Sequence, residues 1–399
     1  MELIMYHLVE VKTKKQEKAF LEVPSLLYSR EEDENWVSPM ISDTKAFFDS
    51  RKNLLLREGS FCRWLLYDVN KHLIGRIAAF YFDQNISEGH RVGYFGFFEC
   101  ADDKEGARHL FQAVVDWLSQ KGIKAMEGPF SLGGPGFFTG SMVRGFYEPV
   151  YGVPYNFAFY NDLFLENGFE TASTIGTCRI AFHDNDLRWE FIGKKALPFY
   201  GDLQYRMESF DRRKCEEFSK DFTEVFNKVW AGFPGMAPMT LKRAVNRCRM
   251  VRPFLLPDTI LFVYYENQPV AFLITLPDIH QIIKKFKGKY HFFDKIYLWF
   301  MVRVLKKTTS LSGLIYGIAP EHRGKHLEDA LLYSLYEVVK QRRLKMKDLK
   351  MSRIGDFAPE MKKAVQQLGA ERYHQYVLYH LAFDRFNKVR KDKEKPGVV

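Results

Sequence analysis

A chain of 399 residues is long enough for two or three domains with proper cores. Its 46% hydrophobic and 27% charged residues are the balance of a globular protein, which excludes wholesale disorder. A formal net charge of +10 suits an acidic partner, whether a ligand phosphate, an anionic membrane surface or RNA, without choosing among them.

The five cysteines, Cys62, Cys100, Cys178, Cys215 and Cys248, are scattered singly with no CxxC pair. That pattern reads as reduced thiols in a cytoplasm, not as a disulfide framework or a zinc site. The start, MELIMYHLVEVKTKKQ, lacks a basic segment followed by a long apolar run, so no signal peptide is expected. The most hydrophobic stretch, Ile296–Leu305, is too short to span a bilayer and contains Arg303. A cytoplasmic location follows as the expectation.

Taken in order, LVEV reads as a first strand, followed by a lysine-rich helix start and an ordered loop around Trp36 and Pro39. Cys62–Tyr67 and Ile74–Phe82 make a hairpin about an Asp68–Lys71 turn. Arg91–Glu99 is a further strand ending in a carboxylate. The helix over Lys104–Gln120 places Ala107, Leu110, Phe111, Val114, Val115 and Leu118 on one face and closes on Lys121-Gly122. Ala125–Phe130 is the next strand. The tract Ser131–Gly152, rich in glycine, aromatics and Arg144, reads as a structured binding loop, and Asn156–Phe169 as a helix. Beyond it come a strand over 171–182, a small helix and strand-like stretch within 183–212, and a helix near Glu216–Trp230. A hairpin follows, turning at Glu266-Asn267-Gln268, and then a basic aromatic insertion, Gln281–Lys307. Asp348–Arg353 is a strand, Pro359–Leu368 a helix stopped by Gly369, and Tyr376–Phe383 the last strand, before a frayed basic tail.

Between that insertion and the strand at 348 lies the stretch that organises the second half, LSGLIYGIAPEHRGKHLEDALLYSLYEVVK. A short apolar strand, Leu314–Ile318, runs through Pro320 and an Arg323-Gly324-Lys325 turn into a helix whose Leu327, Leu331, Leu335 and Val338 recur at helical spacing. Free first-turn amides, the positive end of the helix dipole and two cationic side chains make such a turn an anion site.

The turn resembles the acyl-coenzyme A binding segment of the GNAT N-acyltransferase superfamily, in which an apolar-x-Pro strand end precedes an Arg/Gln-x-x-Gly-x-Gly/Ala turn. Arg323 matches the first motif position, whereas His326 and Glu328 stand where small residues are the rule. The two halves repeat one plan. The hairpin at 62–82 corresponds to 260–276, Gly93–Gln120 to Gly313–Lys340, and Asn156–Phe169 to Pro359–Ala370. Nearly the whole chain also resembles a bacterial family of uncharacterised GNAT-like proteins through Gly75–Ala79, Gly96–Glu99, Tyr155-Asn156, Leu276–Asp278, and Leu368–Ala370 with Tyr379. The resemblance implies an α/β chain with tandem GNAT-like domains, mixed and mostly antiparallel sheets flanked by helices, at 1–200 and 201–384 with a basic tail at 385–399.

Amide formation from an acyl thioester needs a base for the amine, donors for the thioester oxygen and an acid for the thiolate. Glu99, behind apolar Gly96-Phe97-Phe98, is the base candidate. Phe164 stands where the superfamily's catalytic-acid tyrosine falls, which leaves Tyr160 as the substitute. ECADDKEGA gives the first half an acidic helix start that repels phosphate, so an acetyl-CoA or other acyl-CoA co-substrate is placed in the second half, on Ile318, Arg323, Gly324, Lys325 and His326. Arg144, Tyr155 and Asn156 are the candidates for the acceptor, a small-molecule amine or other acyl acceptor, with cofactor turn and base drawn from different halves. A tRNA-dependent aminoacyl transferase and a ligand-binding GNAT-like protein without turnover are the alternatives. No HExxH, Walker or GxSxG pattern occurs, and no metal is expected.

Overall fold

A computed structural model describes residues 6–30, 33–57, 59–82, 86–87, 90–131, 138–150, 152–183, 186–231, 238–354 and 359–394. The chain divides into two compact units: Met1–Ile175 with Lys284–Tyr290 and His374–Val399, and Gly176–Ile283 with His291–Tyr373. The glycine-rich start of the 131–152 tract, at 132–137, lies outside the described residues.

The first unit runs β1 (His7–Glu10), α1 (Lys14–Arg30), α2 (Ile41–Phe47), β2 (Gly59–Tyr67), β3 (Leu73–Phe82), β4 (Ile86–Ser87), β5 (His90–Cys100), α3 (Lys104–Ser119), β6 (Ala125–Ser131), β7 (Phe138–Thr139), β8 (Ser141–Arg144) and α4 (Tyr160–Glu166). The second takes over within β9 (Glu170–Ala181) and runs α5 (Leu187–Gly201), β10 (Tyr205–Ser209), α6 (Cys215–Trp230), α7 (Leu241–Val251), β11 (Leu261–Tyr265), β12 (Gln268–Pro277), α8 (His280–Ile283), α9 (Phe292–Arg303), β13 (Ser310–Ile318), α10 (Leu327–Gln341), β14 (Asp348–Ile354) and α11 (Pro359–Gln367). From His374, β15 (Glu371–Ala382) and α12 (Phe383–Glu394) return to the first unit.

The same sheet is built twice. The first unit orders β1-β2-β3-β5-β6-β15, antiparallel except for the parallel β5/β6 pair. The second orders β10-β11-β12-β13-β14-β9, antiparallel except for the parallel β13/β14 pair. The sixth strand of each is exchanged: β9, which follows α4, serves the second sheet, and β15, which follows α11, serves the first.

Alternation along β3 puts a helix on each face of the first sheet. At Gly75 a Cβ would meet Leu110 of α3, while the next residue, Arg76, reaches the carbonyl of Phe20 on α1. In the second unit one buried cluster gathers Trp189, Ile192, Leu331, Leu335, Ala364 and Val365 from α5, α10 and α11, and another gathers Phe218, Val225, Phe226 and Ala244 from α6 and α7. Each sheet is thus a packed middle layer, the tandem α/β architecture expected from the repeat.

Several local expectations need correction. Asn156–Phe169 is helical only over Tyr160–Glu166, because Asn156 is turned inward to bond Met142 and Phe157. The small helix within 183–212 is the 15-residue α5. The basic α7 has no counterpart among the expected elements; only its Ala244 and Val245 are buried, too few for a clear period, although Thr240 caps it. The tail continues as α12, held by buried Phe383 and Phe386. Cys215 and Cys248 lie with Cα atoms 6.4 Å apart and are joined as a disulfide, against the expectation of five free thiols. Their positions on two packed helices brought them together, which linear spacing could not reveal.

Candidate functional site

In the first unit the residues of interest collect where β5 leaves β6. The parallel pairing runs from Val92 with Ala125 to Gly96 with Phe130 and stops there among the described residues. On the other edge Ala78 faces Gly96 and Arg76 faces Glu99, so two steps along β3 match three along β5. The extra residue is a bulge marked by Phe97, whose φ of +51° lies in the left-handed region. The bulge turns Glu99 to the same face as Arg76.

Glu99 Oε1 lies 3.4 Å from Arg76 Nη2, and Oε2 accepts a 2.9 Å hydrogen bond from the Tyr160 hydroxyl. That hydroxyl in turn accepts from the Cys100 amide at 3.0 Å. Arg76 donates through Nη1 to the Phe20 carbonyl at 2.6 Å, its guanidinium sits 4.9 Å from the Phe20 ring centroid, and its Nε is buried without a partner. Burial pushes the Glu99 carboxyl above its ordinary 4.5, against the pull of Arg76, Tyr160 and Tyr28. Burial and the Glu99 charge push the Tyr160 phenol far up. The result is a desolvated carboxylate with a raised affinity for protons, aimed by two donors, at the point where the strands part.

The helix start beside it is closed to anions. Asp103 caps α3 by accepting from the Gly106 amide at 3.0 Å and also accepts from the Tyr6 hydroxyl at 2.8 Å. Asp102 and Glu105 add negative charge nearby.

The second unit has the same parting with the opposite electrostatics. β13 and β14 pair from Ser310 with Asp348 to Gly313 with Met351. The remainder of β13 then runs through a 3-10 turn, Pro320–His322, to the exposed residues Arg323–His326. Gly324 has a φ of +74° and open space where a Cβ would sit, so a ligand could approach that backbone closely. His326 caps α10 in the left-handed conformation without a side-chain cap bond, which leaves the first-turn amides of α10 unsatisfied by it. Arg323 Nε leans back to the Ile318 carbonyl at 3.4 Å, and Lys325 Nζ lies 5.9 Å from the Tyr265 ring centroid.

The two departures from the motif are accommodated. His326 Nδ1 pairs with Asp329 Oδ2 at 2.8 Å, and Lys195 Nζ approaches the same oxygen at 3.3 Å. Glu328 is buried, and burial raises its carboxyl above 4.5. His326, Glu328 and Asp329 bring possible metal-ligand atoms within 4.8 Å of one another, but Lys195 already supplies a cation there.

The candidate residues therefore separate. Glu99 and Tyr160 are brought together in the first unit, and Ile318, Arg323, Gly324, Lys325 and His326 in the second. Arg144 is exposed at the end of β8, and Tyr155 donates to the Asp33 carboxylate at 2.9 Å. Asn156 is consumed in the fold: it accepts from the Met142 amide at 2.6 Å and donates to the Met142 and Phe157 carbonyls. Arg76 was not singled out in the sequence, although a lone arginine inside LIGRIAAFYF was a signal that something buried answers its charge.

No protein-family model matches the chain. It is 25% identical to protein YghO of Escherichia coli over 385 residues, covering 91% of this chain and 92% of that one. It is 24% identical over 298 residues to a bacterial ceramide synthase of Caulobacter vibrioides, covering 70% of this chain and 72% of the other. Among solved structures, a tandem GNAT protein from the clavulanic acid biosynthesis pathway aligns over 94% of this chain and 98% of its own at a TM-score of 0.54 and 10% identity. A fungal beta-N-acetylglucosaminidase with a GCN5-related glucosamine N-acetyltransferase region aligns at the same TM-score and 11% identity, over 96% of this chain but only 38% of that protein. The twice-built sheet, the strand partings and these alignments establish the chain as one with the tandem GNAT-type N-acyltransferase fold.

Proposed function

We propose that the protein transfers an acyl group from a CoA-type thioester to an amine, and that the acceptor is a long-chain amine of the kind a ceramide synthase acylates. The observation that carries the reading is the Glu99–Arg76–Tyr160 constellation at the β5/β6 parting. A buried carboxylate with a raised pKa suits a general base near neutral pH. As the amine nitrogen bonds to the thioester carbonyl carbon, Glu99 takes the proton the nitrogen loses; the carbon–sulfur bond then breaks and the proton passes to the departing sulfur. Arg76 keeps Glu99 ionised and in place. Tyr160 fits positioning better than acid catalysis, because its hydroxyl is spent on Glu99 and its phenol is a weaker acid than a thiol.

The phosphates of the acyl donor are assigned to the second unit, to the amides and side chains of Arg323, Gly324 and Lys325, with the β14-side edge of β13 beyond Gly313, which has no strand partner among the described residues, for the donor's pantetheine arm. His326 contributes its backbone. The relative named as a ceramide synthase supports the acceptor class.

Calorimetric titration of the full chain with palmitoyl-CoA, acetyl-CoA and free CoA tests the donor, repeated on Arg323→Ala. Micromolar binding that weakens about tenfold or more in the variant supports the assignment. Absence of binding to all three would remove the CoA-dependent reading.

A further inference from the structure

We propose that α9 docks the protein on an anionic membrane surface, lying in the plane of the interface. A 12-residue helix with apolar residues on every side belongs inside a protein, yet α9 is largely outside it. Only Leu298 and Val302 are fully buried, one turn apart, and they form the stripe that attaches the helix to its unit. Phe292 and Phe293 are 69% and 78% exposed, and Ile296, Tyr297, Trp299, Phe300, Val304 and Leu305 are exposed as well. This is a concentration of large apolar side chains that monomeric surfaces rarely present.

The charge around it selects the occupant. Between 291 and 310 the chain has four cationic residues, Lys295, Arg303, Lys306 and Lys307, and one acidic residue, Asp294, whose carboxylate is held by the His291 amide in the cap of α9. Lys306 and Lys307 are exposed just past the helix. The turn Arg252–Phe254 touches both α9 and α7, and α7 carries exposed Lys242 and Arg249 with exposed Met250. Bulky apolar and aromatic groups beside a cationic rim match a bilayer with anionic headgroups: the rings enter the headgroup–acyl boundary while the cations meet phosphate. A helix of this length spans about 18 Å, against about 30 Å for a hydrocarbon core, so it lies on the membrane rather than through it. No helix among the described residues is long and apolar enough to cross.

Flotation of the full-length protein with vesicles tests this, using phosphatidylcholine alone and phosphatidylcholine with about a third phosphatidylglycerol. The expected result is binding to the anionic vesicles that falls with added salt. The doubly substituted Phe292→Glu/Phe293→Glu should bind at least about tenfold more weakly. Lys306→Glu/Lys307→Glu should bind less and with a shallower salt dependence. These side chains project into solvent, so melting temperatures should match the wild type, and acyl transfer to a water-soluble amine should not change. Failure of the wild type to float with either vesicle, or undiminished flotation of the phenylalanine variant, overturns the proposal. So does concentration-dependent dimerisation that the same substitutions abolish while vesicles recruit nothing, since α9 would then meet a second copy of the chain.

Discussion

Arg76 is the residue whose removal most sharply tests the reading of Glu99. The Arg76 Nη2 to Glu99 Oε1 separation is 3.4 Å. With an effective dielectric of about 20, that distance corresponds to an attraction of about 5 kcal/mol, part of which offsets desolvation of the two groups. Arg76→Met leaves the carboxylate buried with only neutral donors, and breaking such a pair typically costs about 3–5 kcal/mol of stability. Glu99 then gains affinity for its proton, because the cation that pulled its pKa down is gone while burial remains. A base works only when ionised, so the acid limb of the pH–rate profile moves to higher pH. Glu99→Gln removes the base and should lower kcat/KM by roughly 10²–10⁴. Arg76→Lys keeps a cation and should recover part of the wild-type profile, which guards against loss by unfolding. Thiol release from acyl-CoA with an amine acceptor, followed from about pH 5 to 9, reads all three. Full activity in Glu99→Gln, or an acid limb that stays put in folded Arg76→Met, would refute the reasoning.

The same logic gives predictions in the second unit. Lys350 Nζ lies 3.0 Å from Asp278 Oδ2, both buried, so Lys350→Met should destabilise the protein by about 3–5 kcal/mol in denaturant unfolding, and Asp278→Leu/Lys350→Met should recover most of it. His322 is buried against the Tyr205 hydroxyl at 2.8 Å, and burial followed by the Lys325 charge lowers its pKa below 6.5. It therefore binds fewer protons folded than unfolded; its contribution is complete above 6.5 and lost as pH falls through the folded value. The melting-temperature difference between wild type and His322→Gln should narrow on acidification across that window. The Cys215–Cys248 bond closes a separation of 33 residues, so its reduction should cost about 3–4 kcal/mol, and non-reducing peptide mapping should recover the linked peptides with Cys62, Cys100 and Cys178 free.

The repeated plan was legible in the sequence because period-two and helical patterns mark strands and helices directly. The hairpin turn at Glu266-Asn267, both with positive φ, was visible as a polar break between two apolar runs. Exchange of β9 and β15 was not legible, since either strand reads equally well as the partner of either sheet. Nor was the bulge at Phe97, an aromatic residue in a left-handed conformation that only tertiary packing sustains. Glu99 stands out in the sequence as a carboxylate at a strand end, while its counter-ion 23 residues earlier is defined by cross-strand register. Asn156, read as a possible substrate contact, instead spends its amide on the backbone of Met142, a choice invisible in one dimension.

The central claim is amide formation supported by Glu99. Mass spectrometric analysis of the full-length protein incubated with palmitoyl-CoA and a long-chain amine tests it most directly, with Glu99→Gln in parallel. The account predicts the N-palmitoyl amide from the wild type and a loss of roughly a hundredfold or more in the variant. No amide from folded wild-type protein across a panel of acyl-CoA and amine pairs, or amide formed equally fast by Glu99→Gln, would contradict it.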